Sequence, residues 1–168
     1  MKKSLFIAIC LLLAFTSCKK NSSDAPANTI SATIDGVVES FNTGGGAQLG
    51  TAVQLNSNLV ITGANGVAAG SDVMSITISS NTSIAEGVYT NSGANNAGFT
   101  SILYSKGPFS LTNPNIYATD VNGTHLSTVT ITSLSSTNIK GTFSGQLLLN
   151  GGSTVKAVTN GKFNLSIK

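Results

Sequence analysis

IKGTFSGQLLLN, residues 139–150, sets Ile139, Phe143, Leu147 and Leu149 on alternate positions, with Gly141 and Gly145 on the same face and Lys140, Thr142, Ser144 and Gln146 on the other. A period of two is the pattern of a strand with one buried face. Glycines on the buried face of so long a strand mark bending or the close approach of another backbone, as where a sheet curls. Downstream, TNGKFNLSI (residues 159–167) repeats the period with Phe163, Leu165 and Ile167 inward. Asn150-Gly151 and Asn160-Gly161 read as hairpin turns bracketing a short strand over residues 154–159.

The same period extends upstream. Val129 and Ile131 share one face of TVTIT, and Met74, Ile76 and Ile78 share one face of residues 72–79. Ile30, Ala32 and Ile34 alternate with Ser31, Thr33 and Asp35, and Asp35-Gly36 then supplies a hairpin turn before residues 37–41. Further strands are expected at residues 51–55, 58–63, 87–91, 99–105 and 115–119, separated by GGG, GANG, AEG and SGANN, which is loop chemistry. No stretch beyond residue 28 carries a helical stripe. Roughly ten to twelve short strands joined by local turns predict an all-β fold: a single antiparallel meander domain, closed as a β barrel or a curled β sandwich.

The front of the chain is different. Lys2 and Lys3 precede an almost unbroken apolar run over residues 5–15, and small residues lead to Cys18, which is the layout of an export signal. The run is shorter than the roughly 20 residues that span a bilayer. Phe15, Thr16, Ser17 and Cys18 resemble the lipobox of bacterial lipoproteins. That resemblance implies cleavage before Cys18 and acylation of its thiol, with ordinary cleavage and no lipid as the alternative. The division expected is therefore a signal peptide over 1–17, a lipidated tether over 18–28 and an all-β domain over 29–168. Cleavage removes Cys10, so Cys18 is the one thiol left and no disulfide within the chain remains.

Lys2 and Lys3 leave with the signal, so the nine basic residues fall to seven against six acids and the net charge drops from +3 to about +1. There is no Arg, the residue suited to bidentate phosphate and guanine contacts, so a nucleic-acid role is excluded as a class.

The motifs ATIDG near the start, EGVYT in the middle, and TVTITSL, IKGTFSG and TNGKFNLSI at the end resemble those of a family of uncharacterised lipoproteins of Bacteroidetes-type bacteria, small exported all-β domains. The likeness covers most of residues 29–168. Its motifs are turns and strand starts, so it implies location and fold and carries no catalytic residue.

Several constellations bear on chemistry. With Asn122-Gly123 as the central residues of a hairpin turn, Asp120 faces His125, the sole histidine, and an acid beside an imidazole is the start of a general base. A surface cross-strand pair is the plainer reading. Asp120, Asn122 and Gly123 echo a calcium loop, but the glycine comes too early and the bidentate acid is missing. Asp72 and Glu86 are the acids considered as a glycosidase pair. Gly44, Gly45 and Gly46 lack the lysine of a phosphate loop. Tyr104, Phe109 and Tyr117 cluster around SKGPFSLTNPN and are weighed as a ligand rim against ordinary core packing.

The function expected is a non-enzymatic structural or binding module of the cell envelope, anchored at Cys18 to the outer membrane with its periplasmic face favoured over the cell surface. The alternatives are a β-barrel carrier of a small apolar ligand and a glycan-handling enzyme. No cofactor or metal is called for. The partners expected are the membrane through the lipid, and a small apolar ligand, a glycan or an envelope protein.

Overall fold

The computed structural model describes residues 25–42, 51–55, 57–92, 99–107, 110, 112–120 and 124–167. Within them are eleven strands and no helix: β1 (Thr29–Ile34), β2 (Val37–Ser40), β3 (Thr51–Leu55), β4 (Asn58–Ala64), β5 (Val73–Ser79), β6 (Gly87–Thr90), β7 (Phe99–Ser105), β8 (Ile116–Thr119), β9 (Ser127–Leu134), β10 (Asn138–Leu149) and β11 (Val155–Ser166). All pairings are antiparallel. They make one sheet in the order β2-β1-β11-β10-β8-β7-β5-β4-β3, with β9 lying between β10 and β6. The all-β class expected from the period-two pattern is therefore the observed one, and β6 is the strand displaced from a simple meander.

The hairpin at Asp35-Gly36 forms as its sequence requires. Both residues have positive φ, 48° and 85°, which is the twist of a two-residue turn joining β1 to β2. The β10–β11 turn also forms at Asn150, with Leu149 N donating to Thr154 O at 2.8 Å.

Asn160-Gly161 departs from expectation. It is not a hairpin turn, because β11 runs unbroken through it for twelve residues. Of the two, only Asn160 takes a positive φ (52°), and it forms a bulge at which the register slips against both β10 and β1. Gly161 stays in the strand for a different reason: a Cβ there would collide with the Phe143 carbonyl and ring. One residue across, Gly141 yields its space to the Phe163 ring. The two rings stack 6.5 Å apart at 27°.

A second departure concerns residues 115–134. β8 and β9 do not pair with each other. Leu147 to Leu149 of β10 pair with β8, while Ile139 to Gly145 pair with β9, so β8 and β9 lie end to end along one edge of β10. Asp120 and residues 124–126 belong to neither strand, and Asn122-Gly123, read as a hairpin turn, lies outside the described residues. The sheet forks here. One wing runs β8-β7-β5-β4-β3 and the other β9-β6.

At its far end the sheet curls until β1 and β2 meet β4. Gly63 makes this contact feasible, since a Cβ would strike the Phe41 carbonyl and crowd Ile30. The enclosed space is filled by side chains, among them Ile30, Phe41, Ile61, Ile76, Ile102 and Ile139, each no more than 1 % exposed.

Tyr89 accounts for the EGVYT motif. Its hydroxyl donates to Ala85 O (2.8 Å) and accepts from Ala85 N (3.0 Å), pinning the turn that leads into β6, as in a tyrosine corner.

Gly161→Val is expected to cost about 2–3 kcal/mol, because the overpacked site has backbone on one side and a packed ring on the other. Urea unfolding followed by far-UV circular dichroism checks it, and a midpoint equal to that of the native chain would contradict this account of the bulge.

Candidate functional site

Three places bear on function: the fork, the aromatic cluster and the outer face of β9–β11.

At the fork, Asn91 follows β6 and ties Asp120, His125 and Ser127 together. Its Nδ2 donates to Asp120 O (3.2 Å) and His125 O (2.9 Å), and its Oδ1 accepts from Ser127 N (2.8 Å). Both side-chain N–H donors and one of the two Oδ1 lone pairs are thereby used. Beneath it, Thr119 and Ser127, 5 % and 1 % exposed, share a hydroxyl contact of 3.0 Å, and Gly145 lacks the Cβ that would meet Ser127 Oγ. This clasp does bring Asp120 and His125 together. His125 Nδ1 lies 3.4 Å from Asp120 Oδ2, which also accepts from Thr124 N at 3.3 Å. The pair owes its proximity to Asn91, not to a β8–β9 ladder.

Tyr104 and Tyr117 also meet, as neighbours on β7 and β8 with rings stacked 6.3 Å apart. They face inward. Tyr104 is 3 % exposed, lies edge-on to Phe41 at 6.1 Å, and donates its hydroxyl to Asp72 Oδ2 at 2.7 Å. Burial, and next the Asp72 hydrogen bond, raise the Tyr104 hydroxyl well above the ordinary tyrosine value. Lys156 Nζ covers Tyr117 at 4.9 Å from the ring centroid and reaches Asp35 Oδ2 at 2.7 Å. The ring faces are thus taken by Phe41, by each other and by a lysine, which is core packing. Phe109 lies outside the described residues, as do Cys18, Asn122, Gly123 and residues 44–46.

Asp72 has a second partner: Gly107 N donates to its Oδ1 at 2.7 Å, so one carboxylate ties the start of β5 to the loop after β7. Glu86 accepts from Leu134 N at 3.2 Å, beside the start of β10, whereas Asp72 sits level with the other end of that strand. The two acids considered as a glycosidase pair are separated by nearly the whole length of β10. Among the described residues no three His, Cys, Asp or Glu side chains gather as metal ligands.

The outer face of β9–β11 was not singled out from the sequence. Thr130, Thr142, Lys162 and Ser31 form one cross-strand row over β9, β10, β11 and β1, and Thr128 pairs with Ser144 in the next. The Asn160 bulge breaks the plane of this face. Two adjoining grooves open at it, of about 300 Å³ and 480 Å³, sharing Ser144. The first is lined by Thr128, Thr130, Thr142, Asn160 and Lys162, the second by Thr124, Leu126, Gln146 and Thr159. The alternation in IKGTFSGQ names the outward residues, but nothing in it tells a bulge from a turn, so the depression goes unseen.

No protein-family model, curated protein or solved structure matches the chain.

Two predictions follow from the geometry. Asn91→Ala leaves Ser127 N and the Asp120 and His125 carbonyls without their partner and is expected to cost about 1–3 kcal/mol, with faster amide exchange at Ser127; native protection there would refute the clasp. Asp35 has its pKa lowered, first by the Lys156 hydrogen bond and also by Ala157 N, against some desolvation. Its contribution is therefore present above the unfolded carboxyl value and is lost as pH falls through the lowered one. Asp35→Asn, which keeps the positive φ, is expected to lose about 0.5 kcal/mol at neutral pH, since the pair is partly exposed. Urea titrations should show that deficit shrinking to nothing in acid; a deficit independent of pH would refute the assignment.

Proposed function

We propose that the chain is a lipid-anchored, non-enzymatic binding module of the bacterial cell envelope, held on the outer membrane through Cys18 with the domain on its periplasmic side. The observation that carries this reading is the pair of grooves that described residues form at the surface. The curled interior is occupied by fully buried side chains, while the two grooves open on the outer face of β9–β11. A carrier of a small apolar ligand needs its volume inside; a module that engages partners at its surface needs it where it is found. The family resemblance and the lipobox-like sequence before Cys18 agree in placing such a domain in the envelope.

The entry of the chain supports anchoring at one end. Asn164 Nδ2 donates to Ala25 O at 2.9 Å, and Ser166 donates through N and Oγ to Asn28 Oδ1 at 3.3 Å and 3.0 Å. Ala25 is 6 % exposed. Residues 25–28 are thus seated against the end of β11, and residues 19–24 separate them from Cys18. Six residues reach at most about 20 Å, so the β9–β10 turn side stands near the headgroups and the loops at 65–72 and 150–154 stand away from them.

Mass analysis of the chain extracted from membranes is expected to find cleavage before Cys18 and acyl chains on it, and Cys18→Ala should move the protein to the soluble fraction. An unmodified Cys18, or an alanine variant still pelleting with membranes, would overturn the anchor. Proteolysis of the domain on intact cells would overturn its periplasmic placement.

A further inference from the structure

We infer that the outer trough of β9–β11 binds a linear polysaccharide bearing carboxylates, an inference that rests on the binding-module reading above and gives it a ligand class. Three observations converge on this face. The Asn160 bulge, with a non-glycine residue at φ 52°, shifts the register of β11 against both of its neighbours, and bulges commonly re-aim side chains at sites. Two grooves adjoin there, with Ser144 lining both. Their lining mixes hydroxyl and amide groups with a larger share of apolar surface, from Thr methyls and from Phe143, Leu126, Ala157 and Val158, and Lys162 is the one charged side chain in either groove.

The lining selects the ligand class by elimination and by fit. An extended peptide adding to a strand edge has nowhere to pair, since β9, β10 and β11 each have strands on both sides. A wholly apolar ligand would satisfy the apolar part of the lining but take the Thr, Ser, Asn and Gln groups out of water without partners. A nucleic acid finds one lysine and no arginine. A sugar chain brings donors and acceptors at every unit, and the rows Thr130–Thr142–Lys162 and Thr128–Ser144 offer hydroxyls at the interstrand spacing of about 4.8 Å. Leu126, 58 % exposed at the wall of the second groove, can cover the C–H face of a ring. With an ammonium in the trough and no carboxylate lining it, charge complementarity favours an acidic sugar over a neutral one.

The test is calorimetric titration of the full chain, purified in detergent, with a hexamer of galacturonate and with maltohexaose as the neutral comparison. The uronate hexamer is expected to bind and the neutral one to bind more weakly. Lys162→Gln should weaken uronate binding about tenfold, the worth of one charge-assisted hydrogen bond, and leave maltohexaose unchanged. Ser144→Trp, at an outward strand position that accepts an aromatic, should abolish both, while Val67→Ser in the distal loop should alter neither. Uronate binding that is absent, that is no tighter than maltohexaose, or that Lys162→Gln and Ser144→Trp leave intact overturns the inference. Shortened hexamer after prolonged incubation would instead overturn the non-enzymatic reading, with the two variants still judging the site.

Discussion

Two phenylalanines lie over two glycines between the longest strands of the sheet. Gly141 pairs with Phe163 and Phe143 with Gly161, so each ring occupies the space that the opposite residue leaves by having no Cβ. The exchange lets both rings lie nearly flat against the backbone and stack on each other. Flat rings keep the layer thin where β10 and β11 cross the centre of the fold, and a thin layer can bend. The bulge at Asn160, adjacent to Gly161, supplies the bend, and β1 follows because its register slips at the same place. At the far end of the curled sheet, Ile30 and Phe41 come to rest on Gly63.

The fork is the complement of that bend. The edge of β10 opposite β11 is shared between β8 and β9, with Asp120 and residues 124–126 left outside both strands. Backbone groups outside the strands need partners in a partly enclosed place. One amide meets the need, because Asn91 offers two donors and an acceptor at a single point. Asp120 and His125 are brought together by this repair. Their proximity has a structural cause, which is reason enough for it without a reaction.

The fold was legible wherever a local rule decides it. Alternation identifies the inward face of β1, β5, β9 and β10, and Asp35-Gly36 forms the turn its chemistry demands. What was not legible is whatever depends on a neighbour. Asn160-Gly161 and Asn150-Gly151 are the same dipeptide, but Gly161 lies against Phe143 in a paired strand while Gly151 stands in open space in a closed turn. In the same way β8 and β9 look like the arms of a hairpin until β10 takes both. For the aromatic cluster the sequence brought Tyr104 and Tyr117 together correctly, and their covering by Phe41 and Lys156 is again tertiary. The trough was invisible for the reason that the bulge was.

The two faces of β10 and β11 are coupled through that one bulge. On the inside, an extra residue in β11 lets Gly161 slide beneath Phe143; on the outside, the same extra residue leaves a gap flanked by Ser144 and Lys162. A depression produced this way is rigid, since closing it would require the rings to leave the glycines. A surface site on a small domain gains from such rigidity, because little ordering entropy is then lost when a flexible chain is bound. The aromatic–glycine exchange that curves the sheet therefore also fixes the shape of the face it presents outward.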